Sequence, residues 1–107
     1  MEYLRKLLPQ WKPVEARSGQ WSRVRDQYLE RWSWCAACGR KESLEVHHIV
    51  PVSVDSSKEL ELDNLITLCR TSCHLLLGHL GDWTSWNADV RIDAEKLLDK
   101  IRSRPRR

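Results

Sequence analysis

Residues 35–51 read CAACGRKESLEVHHIVP and residues 63–79 read DNLITLCRTSCHLLLGH. Together they hold every cysteine and every histidine of the 107-residue chain. Cys35-x-x-Cys38 followed by Gly39 reads as a knuckle. Two thiolates separated by two residues turn onto one ion, and glycine permits the positive φ that such a turn needs. Cys69-x-x-x-Cys73 supplies a second pair, one residue wider than the first. Four thiolates make a closed tetrahedral zinc site, structural rather than catalytic, and staple a domain too small to rely on its core alone. A lone CxxC would read equally well as redox or buried cysteines. Two pairs bracketing a strand, a loop and a strand favour zinc.

The rest of the chain is read outward from these pairs. Residues 44–50 alternate weakly and end β-branched, so a strand is expected there, stopped by Pro51. Residues 52–63 read as a polar loop and residues 65–68 as a second strand. Residues 74–77 read as a short helix broken at Gly78. Residues 81–90, with Trp83, Trp86 and Asn87, read as a loop. Residues 93–102 read as a helix carrying Leu97, Leu98 and Ile101. Upstream, Tyr3, Leu4, Leu7 and Leu8 suit a short amphipathic helix bounded by Pro9 and Pro13. Trp21, Val24, Tyr28 and Trp32 form one stripe on a helix over 21–32, with Ser18 or Ser22 as its cap. Trp21, Trp32 and Trp34 are assigned to the core. Trp83 and Trp86 are placed near the histidines, where core packing and stacking are both open.

His47 and His48 are neighbours at a strand end and so point to opposite faces. They cannot easily ligate one ion, which implies two different jobs. His74 follows Cys73 and points away from the zinc that Cys73 holds. A second ion site forms from His47 and His74, with His79 nearby. For any single histidine the alternative is a satisfied core or surface residue.

Composition narrows the class. Charged residues are 31% of the chain, mean hydropathy is −0.57, and no stretch approaches the roughly 18 apolar residues of a spanning helix. Met1-Glu2-Tyr3 opens no basic-then-apolar leader, so a cytoplasmic, reducing setting is expected. That setting favours metal over disulfides. The net charge is +3, unevenly laid out. Residues 1–34 carry seven Lys/Arg against four acids, residues 35–100 seven against eleven, and the last seven residues four Arg and no acid. Basic ends suit a polyanion such as nucleic acid, and a solvated tail is the plainer reading.

The string Cys35-x2-Cys38, Val46-His47-His48-Ile49-Val50-Pro51, Asp63-Asn64-Leu65-Ile66-Thr67-Leu68-Cys69, Cys73-His74 resembles the HNH endonucleases, over about residues 17–90. The resemblance implies an α+β fold. Its small ββα-metal core would be stapled by the four-cysteine zinc site and flanked by N- and C-terminal helices. The expected division is a basic helical arm at 1–34, the nuclease core at 35–90, and a helix with a basic tail at 91–107. His48 resembles the family's general base and His47 its first metal ligand. Asn64 resembles the residue that ties the loop down and orients the base, and His74 a further metal ligand. In members with three histidine ligands the last two stand four apart on a helix. Here His74 and His79 stand five apart, about 140° around an ideal helix. His79 therefore either swings back at Gly78 to ligate, or contacts phosphate, or is structural.

The implied chemistry is hydrolysis of DNA phosphodiester bonds. One divalent ion neutralises the phosphate and holds the leaving oxygen, while a neutral imidazole takes a proton from water. The imidazole-rich set suits Zn, Ni, Co or Mn better than Mg. Arg17, Arg23, Arg25, Arg31, Arg40 and Arg70 are expected to hold the DNA backbone, with the arginine tail adding a salt-sensitive term. No base-reading module is visible, so weak sequence preference or preference for a DNA structure is expected. No small-molecule cofactor and no membrane partner are expected, and the state is a monomer or weak dimer. The alternatives are a zinc-stabilised DNA-binding module without catalysis, and a purely structural zinc protein.

Overall fold

The computed structural model describes residues 19–105. The helix expected within residues 1–10, and Arg17, Ser18, Arg106 and Arg107, lie outside the described residues. The first element is helix α1, Trp21–Arg31. Its stripe is as the spacing predicts, with Val24 and Tyr28 buried and Trp32 stacked on Tyr28 at 4.4 Å between ring centroids. The cap is not. Gln20 holds the cap position without a side-chain cap hydrogen bond. Its carbonyl takes the Val24 N–H at 3.1 Å, which leaves Ser22 inside the first turn.

Strands β1, Leu44–His48, and β2, Leu65–Cys69, pair antiparallel, with His47 opposite Ile66 and His48 opposite Leu65. β1 ends two residues before the expected Val50, because a side chain replaces the ladder there. Asn64 Oδ1 accepts from Val50 N–H at 2.8 Å and Asn64 Nδ2 donates to the Val50 carbonyl at 3.0 Å. The connection between the strands is not an open loop. It contains two 3₁₀ turns, Ser56–Lys58 and Leu62–Asn64. A π-helical turn follows at His74–Gly78, and helix α2, Val90–Arg102, closes the described chain. α2 starts three residues earlier than expected, because Val90 and Ala94 form its buried stripe while the apolar Ile92 faces outward. No helix among the described residues is long and apolar enough to cross a membrane.

β2 is buried along its whole length, with apolar clusters to either side. Val24, Tyr28, Val46, Leu60 and Leu65 form one cluster. Ile66, Leu68, Val90, Ala94 and the sulfurs of Cys35, Cys69 and Cys73 form the other. Two donors meet at the Leu65 carbonyl: Tyr28 Oη at 2.9 Å and Arg91 Nη2 at 2.9 Å. They tie α1 and α2 to the strand. Trp34 is the exception among the tryptophans assigned to the core. It is 41% exposed, because the turn into Cys35 buries the cysteine and leaves the preceding side chain outside. Leu68 has no exposed surface, and Leu68→Ala is expected to cost about 2–5 kcal/mol, read as a fall in the denaturant midpoint of the zinc-loaded protein.

Candidate active site

The four sulfurs converge as the spacing predicts. Cys35, Cys38, Cys69 and Cys73 lie with their Sγ atoms all within 4.8 Å of one another, and Cys38 Sγ to Cys69 Sγ is 3.9 Å. A sulfur tetrahedron about 2.3 Å from zinc has edges of about 3.8 Å, so the donor set fits that ion. Gly39 sits at φ +80°, the left-handed turn the knuckle needs. Burial works to raise the Cys69 thiol. Hydrogen bonds from Ser72 and the Cys73 backbone N–H outweigh it and bring the group down to about 6. Cys73 is pushed the other way, by burial and by the neighbouring Cys35, and burial raises Cys38 as well. Ser72 therefore belongs to the site and was not anticipated.

The histidines form a second cluster. His47, on β1, meets His74 and His79 across the π turn, and their candidate ligand nitrogens all lie within 4.8 Å of one another. The five-residue spacing is resolved by the turn itself. His79 N–H donates to the His74 carbonyl at 3.1 Å, an i→i+5 bond, and to the Leu75 carbonyl at 3.2 Å. A π turn places residue 79 nearly over residue 74, where an α-helix would not. Gly78 makes room: a Cβ there would stand 3.1 Å from His47 Cε1 and 3.2 Å from its Nε2.

Hydrogen bonds fix the tautomers. His74 Nδ1 donates to Glu45 Oε1 at 3.0 Å and His79 Nδ1 to the Ser85 carbonyl at 2.8 Å. These partners only accept, so both rings keep their lone pair on Nε2. His74 Nε2 lies 3.0 Å from His47 Nδ1. A proton or a cation between these two nitrogens satisfies both. His47 is buried, and its Nε2 has no hydrogen-bond partner among the described residues. Burial first, then the charges that His74 and His79 would carry, pull His47 down to about 3, so it is a neutral donor at working pH. Three imidazoles with converging nitrogens, one ring with an orphaned nitrogen, fit a divalent transition metal. Trp83 packs against His79 at 4.9 Å and His74 at 5.3 Å.

Glu45 was not anticipated, although strand alternation puts it on the His47 face. Partners that orient a ligand imidazole are typically worth about 10–100-fold in metal affinity. Glu45→Gln is expected to lose cobalt affinity in that range while keeping the cysteine-bound zinc, as read by visible absorption against zinc content.

His48 faces away from this cluster's ligand side. Its Nε2 donates to the Glu59 carbonyl at 2.9 Å, leaving the basic lone pair on Nδ1. Its ring lies against Trp21 with centroids 4.3 Å apart. His47, His48, His74 and His79 nevertheless line one cleft of about 580 Å³ with Pro51, Ser53 and Trp83. Asn64 belongs to neither cluster of candidate ligands. Its Nδ2 also donates to the Lys58 carbonyl at 3.2 Å, one residue before the carbonyl that holds His48.

A second groove, of about 520 Å³, shares Val46 and His74 with the cleft and is lined by Arg25, Arg70, Asp26 and Glu45. Arg25 bonds Asp26 at 3.3 Å. Arg23 and Arg31 are exposed on α1, with Arg31 over the Trp32 ring at 5.1 Å. Arg40 is exposed and reaches Thr71 at 3.4 Å.

No curated protein and no solved structure matches the chain. The family model described as HNH endonuclease matches residues 35–79. That span opens at the first clustered cysteine, takes in both strands and ends at the third clustered histidine. Residues 35–79 of this chain are similar to an HNH endonuclease domain.

Proposed function

We propose that the chain is a metal-dependent DNA endonuclease of low sequence specificity. The observation that carries this is the shared cleft. A three-histidine cluster and a separate imidazole, His48, line one depression, with His48 bonded to a backbone carbonyl rather than to the cluster. His47, His74 and His79 would hold one divalent cation, of which Zn, Mn, Ni and Co suit imidazole better than Mg. When bound, that ion neutralises the scissile phosphate and stabilises the leaving oxygen. His48 accepts a proton from water at Nδ1, while the Glu59 carbonyl and the Trp21 ring hold it in place. Asn64 is a positioning residue. By closing Val50 and Lys58 onto one amide it fixes the segment that presents the Glu59 carbonyl.

In this reading residues 35–90 are the nuclease core, 1–34 a basic arm and 91–107 a helix with a basic tail. Arg25 and Arg70 bracket DNA phosphates in the adjoining groove, with Arg17, Arg23 and Arg31 extending the contact along the arm. Such contacts read charge and not sequence, so binding weakens steeply with salt. A monomer or weak dimer nicks one strand per encounter. A reducing cytoplasmic setting keeps the four thiols available for zinc. The alternative is a zinc-stabilised module that binds DNA without cutting it.

The test is nicking of supercoiled plasmid by zinc-loaded protein across added Mg, Mn, Co, Ni and Zn. Conversion to the open circle in at least one metal supports the proposal. Salt-dependent DNA binding with no cleavage in any metal supports the binding module.

A further inference from the structure

We propose that Asn87 is a positioning residue for the third histidine, holding the π turn in the form that presents His79 to the cation. This rests on reading the histidine cluster as a metal site. A helical turn leaves its last carbonyls without partners in the helix, and a π turn is a rare form of helical turn. Here a single residue satisfies two of them. The Leu77 carbonyl accepts from Asn87 Nδ2 at 3.1 Å, and the Gly78 carbonyl from the Asn87 backbone N–H at 3.1 Å. These are the two peptide groups that lead into His79.

The amide is itself held from both ends. Its Nδ2 also donates to Asp93 Oδ2 at 2.8 Å, and its Oδ1 accepts from Asp89 N–H at 3.0 Å. Asp89 holds the N-cap position of α2 without a side-chain cap bond and Asp93 lies in its first turn, so the π turn is bolted to the start of that helix. Asn87 is 7% exposed, and both Nδ2 hydrogens and Oδ1 are used. No other side chain of that length offers two donors and an acceptor in one plane. Two residues earlier, the Ser85 carbonyl takes the His79 Nδ1–H. One short segment thus holds both the backbone and the imidazole of the displaced ligand. The extra residue between His74 and His79 is accommodated by a π turn, and Asn87 keeps that turn from relaxing.

The test is cobalt titration of protein whose cysteine site is filled with zinc, read by visible absorption. Asn87→Leu is expected to bind cobalt at least tenfold more weakly while retaining one zinc per chain. In a His79→Ala background the same change is expected to cost less than twofold, because no third ligand remains to be positioned. A folded, zinc-loaded Asn87→Leu within twofold of wild type overturns the proposal, and so does an equal loss in both backgrounds. Should Asn87→Leu fail to fold, Asp93→Ala serves. It frees one amide hydrogen and is expected to weaken cobalt binding at least threefold, and an unchanged affinity overturns the proposal. Wild type taking up no cobalt beside its zinc overturns the metal reading itself, and the role of Asn87 with it.

Discussion

His48→Ala is expected to slow single-turnover plasmid cleavage by about 10³-fold, within the range of about 10²–10⁴ that a positioned acid or base contributes, and to leave DNA binding within twofold. Both halves follow from where the ring sits. Its Nε2 is committed to the Glu59 carbonyl, and the three clustered nitrogens are supplied by other residues. Alanine therefore removes a proton acceptor without removing a cation or a metal ligand. The loss is expected in every metal that supports cleavage. Filter binding or fluorescence anisotropy at matched salt supplies the comparison. A variant that cuts within tenfold of wild type would move the base elsewhere in the cleft.

Removing zinc is expected to unfold the domain outright. The sulfurs of Cys35, Cys69 and Cys73 are not appended to the core but belong to it, packed with Ile66, Leu68, Val90 and Ala94. Structural zinc is worth about 10–16 kcal/mol of apparent binding free energy in small domains, as much as the whole stability of a typical fold at about 5–15 kcal/mol. Cys73→Ser is expected to abolish zinc retention and the cooperative melt. Because His74 is the next residue, it should abolish cobalt binding at the histidines too. His74→Ala is expected to lose only the second. Zinc must displace protons from Cys73 and Cys38, both held as thiols by burial, so its affinity falls as the pH is lowered. Zinc analysis and circular dichroism melts measure both effects. A chelated chain that still melts cooperatively near the holo temperature would reduce the site to an ornament.

Residue types at short spacing carried most of this architecture, and the failures are informative. The cysteine knuckle was legible because a thiolate pair with a following glycine has few other uses. The opposite facing of His47 and His48 was legible because a strand sends neighbours to opposite faces. His79 was legible only as one of several alternatives, because an α-helical period was assumed where the chain makes a π turn, and no local pattern announces that change. Glu45 was legible in principle from the same alternation that separated the histidines. Asn87 was not, since its partners Leu77 and Gly78 lie across a loop and its role is set by tertiary hydrogen bonds. Val50 shows the same limit. Its β-branched side chain suggests a strand, yet its backbone is taken by the Asn64 amide.

The most direct test joins the ion to the cutting. Protein holding zinc only at its cysteines is titrated with cobalt or nickel, and the initial rate of plasmid nicking is followed against equivalents added. The account predicts negligible cleavage at the start, a rise that saturates at one equivalent of the second ion, and no rise in His47→Ala. Full-rate cleavage by the zinc-only protein, or a rise that His47→Ala leaves intact, would contradict it.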